Sequence, residues 1–353
     1  MISANVIFPE SGEAENPLQV LPIVPSPVDE RVLVADTSND EKTMTSVSVV
    51  VCTHSAERRQ LLEDILRSIN AGASQPNEVL IVVDRNPALF AELSAHPWSL
   101  LVRVLESSGS GLAAARNTGW RAARGSLVAF IDDDAVASPG WLRELTEAAE
   151  RHRADVVGGW VEPHWTHGEP AWFSPLLGWV VGCSYEGLPT VPSRVRNVIG
   201  CNMLIRRDLL ERLGGFETTL GRSGGGLAGC EETELCIRAN RSGAEVMMIP
   251  GARVAQVLPA TRGTLSHAVR RGWHEGRSKR MLVRLHGPVL RTETIYATTL
   301  LRRSGAQLAR GVLMGRPRDV MGAIGLVAVL GATTLSYFVY AVVQPASTSG
   351  HAT

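Results

Sequence analysis

The sequence predicts an α/β protein, a Rossmann-like mixed sheet flanked by helices and continued by a helical, membrane-associated C-terminal extension. Three observations predict it. From Ser46 onward, short β-branched runs alternate with stretches of helical periodicity, the order that lays helices on the faces of a largely parallel sheet. Three acids, Asp132, Asp133 and Asp134, stand directly behind one of those runs. A long uncharged stretch, 320–343, lies near the end of the chain.

Taken in order, residues 1–45 read as a disordered or loosely packed extension, rich in proline and acids with Arg31 and Lys42 as the only cations. The stretch lacks the charged start and apolar run of a secretory signal. Residues 46–285 hold the folded domain. Ser46-Val-Ser-Val-Val-Val-Cys52 is the composition of a buried parallel strand. Leu61, Leu62, Ile65, Leu66 and Ile69 then recur at helical spacing over 58–71. Further strands are expected at 79–84, 101–105 and 127–131, with a helix over 111–123. Ligands of such a sheet sit beyond the carboxyl ends of its strands, so the chemistry is sought in the turns after Cys52, Asp84, Leu105 and Ile131.

Past Trp141 the alternation weakens, as mixed strands and loops would make it. Trp160, Trp165, Trp172, Trp179 and Tyr185 supply bulk for a core or a lid. Residues 286–318 read as a basic helical linker; twelve Lys or Arg fall within 270–318 against two acids, Glu275 and Glu293. Residues 319–344 are expected to form a transmembrane or interfacial helix. The 24 uncharged residues are long enough to cross a bilayer, while their Gly, Ala and Thr content equally suits a helix lying in the interface. Cations precede this stretch and none follows, which places the folded domain on the cytoplasmic side of a cell membrane. Residues 345–353 are a tail.

Composition excludes several classes. Across 353 residues, 35 Lys and Arg balance 35 Asp and Glu, so no basic excess displaces counterions from nucleic acid. Aromatic content of 5% argues against a base-stacking platform. Five cysteines without a C-x-x-C pair indicate neither a disulfide framework nor a zinc cluster, and read as reduced thiols packed as small hydrophobes.

Three adjacent acids at a strand end repel one another, and a divalent cation resolves that repulsion; hard carboxylate oxygens suit Mg2+ or Mn2+. A second acidic group, Glu231 and Glu232, opens a helical stretch behind the glycine-rich run 221–229. Such a run can close over a ligand, and a carboxylate there is a candidate general base. Gly109-Ser-Gly111-Leu-Ala-Ala114 fits a dinucleotide fingerprint, but it follows the third strand rather than the first, so a nicotinamide or flavin site is not expected.

In this order the motifs resemble glycosyltransferase family 2, the inverting nucleotide-sugar enzymes of GT-A fold, over roughly residues 47–280. They comprise the opening strand through Thr53 and His54, Val82-Val83-Asp84, Gly111-Leu-Ala-Ala-Ala-Arg116-Asn117-Thr-Gly119, Phe130-Ile131-Asp132-Asp133-Asp134, Gly200-Cys-Asn202-Met203, Gly214-Gly215-Phe216 and the stretch from Glu231 to Arg238. The resemblance implies a metal-dependent, inverting transfer of a sugar from a nucleotide-diphosphate donor to an acceptor hydroxyl, on a lipid-linked or cell-envelope acceptor. It implies that Thr53, His54, Asp84, Gly111, Arg116, Asn117, Asp132 and Asp133 bind the donor nucleotide. Asp134 would hold the metal and Glu232 would deprotonate the acceptor. Asn202, Glu231, Trp273, Arg277 and Lys279 are candidates for the acceptor or diphosphate side.

Two departures stand out. Asp84 is followed by Arg85-Asn86-Pro87 where the family usually reads Asp-Asp-Gly-Ser, and Gln256 stands where many members carry a metal-assisting histidine. Alternatives are a sugar nucleotidyltransferase, which would want a glycine-rich turn and a lysine behind the first strand, and a membrane-tethered nucleotide-sugar-binding scaffold without transfer activity.

Overall fold

A computed structural model describes residues 46–99, 101–221 and 227–343. The expected N-terminal extension, most of the glycine-rich run and the tail lie outside the described residues.

The chain enters through β1 (Val47–Thr53), α1 (Arg59–Asn70), β2 (Glu78–Val83), α2 (Pro87–Ala95), β3 (Val102–Glu106), α3 (Leu112–Ala122) and β4 (Leu127–Asp132). It continues through β5 (Ala135–Ala137), α4 (Trp141–Arg151), β6 (Val156–Trp165), β7 (Ser193–Arg194), β8 (Asn202–Arg206), α5 (Arg207–Leu213), α6 (Glu231–Arg241) and β9 (Val246–Leu258). Three helices follow: α7 (Leu265–His286), α8 (Arg291–Leu313) and α9 (Pro317–Val343).

Among the described residues nine strands share one sheet, ordered β3-β2-β1-β4-β8-β6-β9-β5, with β7 also on β9. β1 to β4 run parallel, and β8 enters antiparallel between β4 and β6. The mixed sheet expected from the weakening alternation is therefore present. Strand order reverses around β1, which lies between β2 and β4, and at such a switch point the flanking connections leave to opposite faces and open a crevice. Register fixes what lines it: Cys52 pairs with Val82 on one side and with Asp132 on the other, and Thr53 pairs with Val83. Thr53, Asp84 and Asp132 thus reach the carboxyl edge at one level.

Alternation along the strands splits the core. Val49, Val51, Ile81 and Ile131 face α1, α2 and α4, whereas Val50, Leu80, Val82 and Phe130 face α3, α5 and α6. Each fully buried aliphatic side chain stabilises by roughly 1.5–3 kcal/mol, which is ample to hold polar groups at the edge.

α2 follows from the departure after Asp84. Arg85 takes a positive φ of 46°, the side chain of Asn86 accepts the Leu89 amide, and Pro87 begins the helix. Asn86 also donates to the His54 carbonyl at 3.0 Å, tying the turn after β2 to the turn after β1.

Candidate active site

Asp84, at the end of β2, accepts the amide of Gly111 through Oδ2 at 3.0 Å, while its Oδ1 is buried without a partner. Gly111 has φ of 93° and caps α3, a conformation that glycine adopts without steric cost. That cap aims one turn of α3 at the crevice.

The three consecutive aspartates have three different surroundings. Asp132, half-buried, accepts from Arg116 at 3.2 Å. Asp133 is buried beneath the edge, with Oδ2 on the Thr53 hydroxyl at 2.7 Å and Oδ1 on Arg58 at 2.6 Å. Burial, then the Asp134 charge, pushes its carboxyl up to about 6 against the opposing Arg58 and Thr53 contacts. Asp134 meets Arg262 at 2.8 Å and Arg58 at 3.2 Å, and accepts from the Gln256 amide. The other amide atom, Gln256 Oε1, is buried without a partner.

Arg116 joins the two acidic groups. Only 2% exposed, its guanidinium donates to Asp132, to Glu231 Oε1 at 2.8 Å and to the Gly200 carbonyl at 3.0 Å. Burial works against its charge, and Asp132, Glu231, Cys52 and Glu232 more than offset that, raising its pKa. Gly200 makes the approach feasible, because a Cβ there would lie 2.9 Å from Arg116 Nη1.

Glu231 is buried with Oε2 unpartnered, and Glu232 beside it is half-buried. The Glu232 carboxyl is pushed up to about 7, first by burial and then by the Glu231 charge, with Arg116 pulling the other way. The chain enters α6 through Cys230 at φ of 76°. Its thiol contacts Glu275 on α7 at 3.3 Å, and the Gly229 amide donates to Ser278 at 3.3 Å. Glu275 pairs with Arg271 and Lys279. Burial would raise its carboxyl, but those two cations hold it down at about 2.

The structure therefore brings Thr53, Asp84, Gly111, Arg116, Asp132, Asp133, Asp134, Glu231 and Glu232 to one edge of the sheet; Cys52, among them, feels the charges of Arg116, Asp132, Asp133 and Asp84. His54 is exposed in the turn after β1. Other candidates are engaged elsewhere. Asn117 exchanges two hydrogen bonds with the Phe216 backbone and accepts the Trp120 indole. Asn202 accepts from Trp141 and donates to the carbonyls of Trp160 and Ala252. Lys279 pairs with Glu275 and Glu293. Arg277 lies over the Tyr340 ring of α9 at 5.2 Å, and Trp273 is half-buried on α7.

Two site cations escape the sequence reading. Arg58 belongs to a single turn of 3-10 helix behind β1, and Arg262 to another between β9 and α7. Proximity to the first turn could have flagged Arg58, whereas Arg262, 128 residues from Asp134, carries no local mark. Among the described residues no three His, Cys, Asp or Glu side chains form a ready ion cage. The hard donors at this edge are carboxylate oxygens of Asp132, those of Asp134, which Arg58, Arg262 and the Gln256 amide hold here, and the orphaned Gln256 Oε1.

Comparison with known proteins shows the family and the fold. The family model described as "Glycosyl transferase family 2" matches residues 48–214. A "Glucosyl-dolichyl phosphate glucuronosyltransferase" of Haloferax volcanii is 32% identical over 259 residues, covering 72% of this chain and 83% of the relative. "Succinoglycan biosynthesis protein ExoM" of Rhizobium meliloti is 29% identical over 258 residues, 68% of this chain and 77% of that one. Among solved structures, the mannosyltransferase PcManGT from Pyrobaculum calidifontis, in complex with GDP-Man and Mn2+, superposes with a TM-score of 0.56 at 20% identity, covering 83% of this chain and 86% of that chain.

Proposed function

The chain belongs to glycosyl transferase family 2, and from that premise we propose that it moves a sugar from a nucleoside diphosphate to a hydroxyl of a lipid-linked or cell-envelope acceptor at a membrane surface, with inversion at the anomeric carbon. It is a glycosyltransferase with the GT-A fold. The observation that carries the finer reading is Arg116, one buried cation touching both the acid at the end of β4 and the acid that opens α6. Donor and acceptor groups must meet across one sugar, and Arg116 sets the spacing of the two sides.

The unpartnered Asp84 Oδ1 is an acceptor suited to a base or ribose donor. Asp132, partly open to the crevice, is placed for the ribose. A divalent cation fits the donor chemistry, since Asp132, Asp134 and Gln256 Oε1 offer oxygen only, which suits Mg2+ or Mn2+ better than a softer metal. When bound, the cation would offset negative charge developing on the departing diphosphate. Glu232, with its affinity for a proton raised, is matched to removing one from the acceptor hydroxyl near neutral pH, typically worth about 10²–10⁴ in rate. Arg58 and Arg262, on Asp134 here, are the cations we assign to an entering diphosphate. The names of the Haloferax and Rhizobium relatives, a glucosyl-dolichyl phosphate glucuronosyltransferase and a succinoglycan biosynthesis protein, support the acceptor class.

The test is a thermal-shift screen of UDP-, GDP- and dTDP-sugars with and without Mn2+, followed by assay of released nucleoside diphosphate. One donor should stabilise the protein and be turned over. Asp134→Ala should abolish the Mn2+-dependent part of that stabilisation. Glu232→Gln should keep it and lose transfer by about 10²-fold or more. Binding without release of diphosphate in the unaltered chain would make it a scaffold.

A further inference from the structure

Length and composition alone would let α9 cross a bilayer: it is 27 residues long and holds an 18-residue window of mean hydropathy 2.0. Its packing says otherwise. We propose that α9 lies in the plane of one leaflet, and that the outward face of the α8–α9 hairpin is a docking surface for anionic phospholipid. This goes beyond the transfer reading and stands on helix packing, so either can fail without the other.

α9 has two opposite faces. Gly322, Ala323, Gly325, Leu326, Val329 and Ser336 are buried against the body. Met321, Ile324, Val327, Leu335, Phe338 and Val342 are turned out, Val327 at 55%, Phe338 at 60% and Val342 at 82% exposure. Both sets recur at helical spacing, so α9 covers one apolar face against the body and leaves a second apolar face outward.

The inner face is fixed along the folded domain. A Cβ on Gly276 of α7 would lie 2.1 Å from the Thr333 carbonyl, and one on Gly272 would lie 2.9 Å from that of Val329. Two small residues one turn apart let the helix backbones touch. Farther along, Arg280 lies over Tyr337 at 6.0 Å and Arg277 over Tyr340. Toward its start, α9 rests through Gly325 on the Trp172 backbone. α7 itself carries Arg270, Arg271, Arg277, Lys279, Arg280 and Arg284. Since α9 is bound lengthwise to that helix, threading it through hydrocarbon would either strip this packing or drag the cations in with it, and charged side chains at the bilayer centre are strongly disfavoured.

Charge identifies the occupant. α8 also leaves Ile295, Leu301, Leu308 and Leu313 exposed. Arg302 on α8, Arg316 in the turn and Arg318 in the first turn of α9 are exposed as well, while Arg310 pairs with Asp319. Near the C-terminal end of α9, Arg277, Arg280 and Arg284 line a small cleft with Met281 and Tyr340. Exposed apolar side chains on α9, with a guanidinium-lined cleft at Tyr340 beside them, match acyl chains beneath anionic headgroups.

Flotation of the purified full chain with phosphatidylcholine vesicles, with and without phosphatidylglycerol, tests this. Binding should be about tenfold greater with the anionic lipid. A Val327→Glu, Phe338→Glu variant should lose about tenfold in binding at unchanged melting temperature. An epitope placed after Thr353 should be cut by protease added outside the vesicles. Protection of that epitope inside sealed vesicles would show a spanning helix and overturn the proposal. So would failure to bind either vesicle alongside concentration-dependent dimerisation that Phe338→Glu abolishes, which would assign the face to a second copy.

Discussion

Arg116 is the residue on which the two halves of the site depend. Replacing it by Ala leaves Glu231 buried without the cation that contacts it, a change that costs about 3–5 kcal/mol. Urea unfolding should show that loss, and donor binding should fall with it. Arg116→Lys should recover only part, because an ammonium cannot fork between Glu231, Asp132 and the Gly200 carbonyl as a guanidinium does. Glu232 permits a second measurement at this scale. It is faced by Glu231, Arg116 and Glu275, and a base must be unprotonated to act, so transfer should climb with pH through about 7 and level off above it. A profile flat across that range would remove Glu232 from the base role. The sequence showed that acids gather at the end of β4 and in the first turn of α6. It could not show how three adjacent aspartates divide, because neighbouring side chains at a strand end point in different directions and their partners, Arg58 and Arg262, lie 75 and 128 residues away.

Among the elements, α3 has the most exacting position. Its start is held by Gly111 on Asp84 and its middle by the Asn117 clasp on Phe216. Asn117→Ala would leave both backbone groups of Phe216 and the Trp120 indole without their partner, at about 1–3 kcal/mol for each unsatisfied group. The melting temperature should drop clearly, and transfer should fall because Arg116, one residue back, loses its placement. Asn117 was a nucleotide contact by resemblance alone, and the structure gives its amide to the protein. The alternating strands, α3 and α6 were all legible from β-branched runs and helical spacing. α2 was not, since Ala88, Leu89, Phe90, Ala91 and Leu93 do not mark one face; its start depends on the Asn86 cap instead. Asn202 was illegible for a related reason: its three partners come from α4, β6 and β9, which meet only in the folded sheet.

For the whole molecule, hydropathy identified an apolar helix at the end of the chain and left its orientation undecided. What seats it along the folded domain is a pair of glycines on α7, whose meaning appears only when a second helix lies on them. The contacts extend well beyond that pair. Arg196 and Lys279 both hold Glu293 of α8, Tyr296 donates to the Leu176 carbonyl, and Arg303 pairs with Glu186. Clipping the chain after His286 to obtain a tractable catalytic fragment should therefore fail: Lys279 and Arg196 lose Glu293, Trp172 and Leu300's neighbours are laid bare, and the fragment should melt well below the full chain or precipitate. A crystallisable form is better sought by resurfacing, with acidic or amide side chains at 324, 327 and 338 and every inward residue of the hairpin left in place.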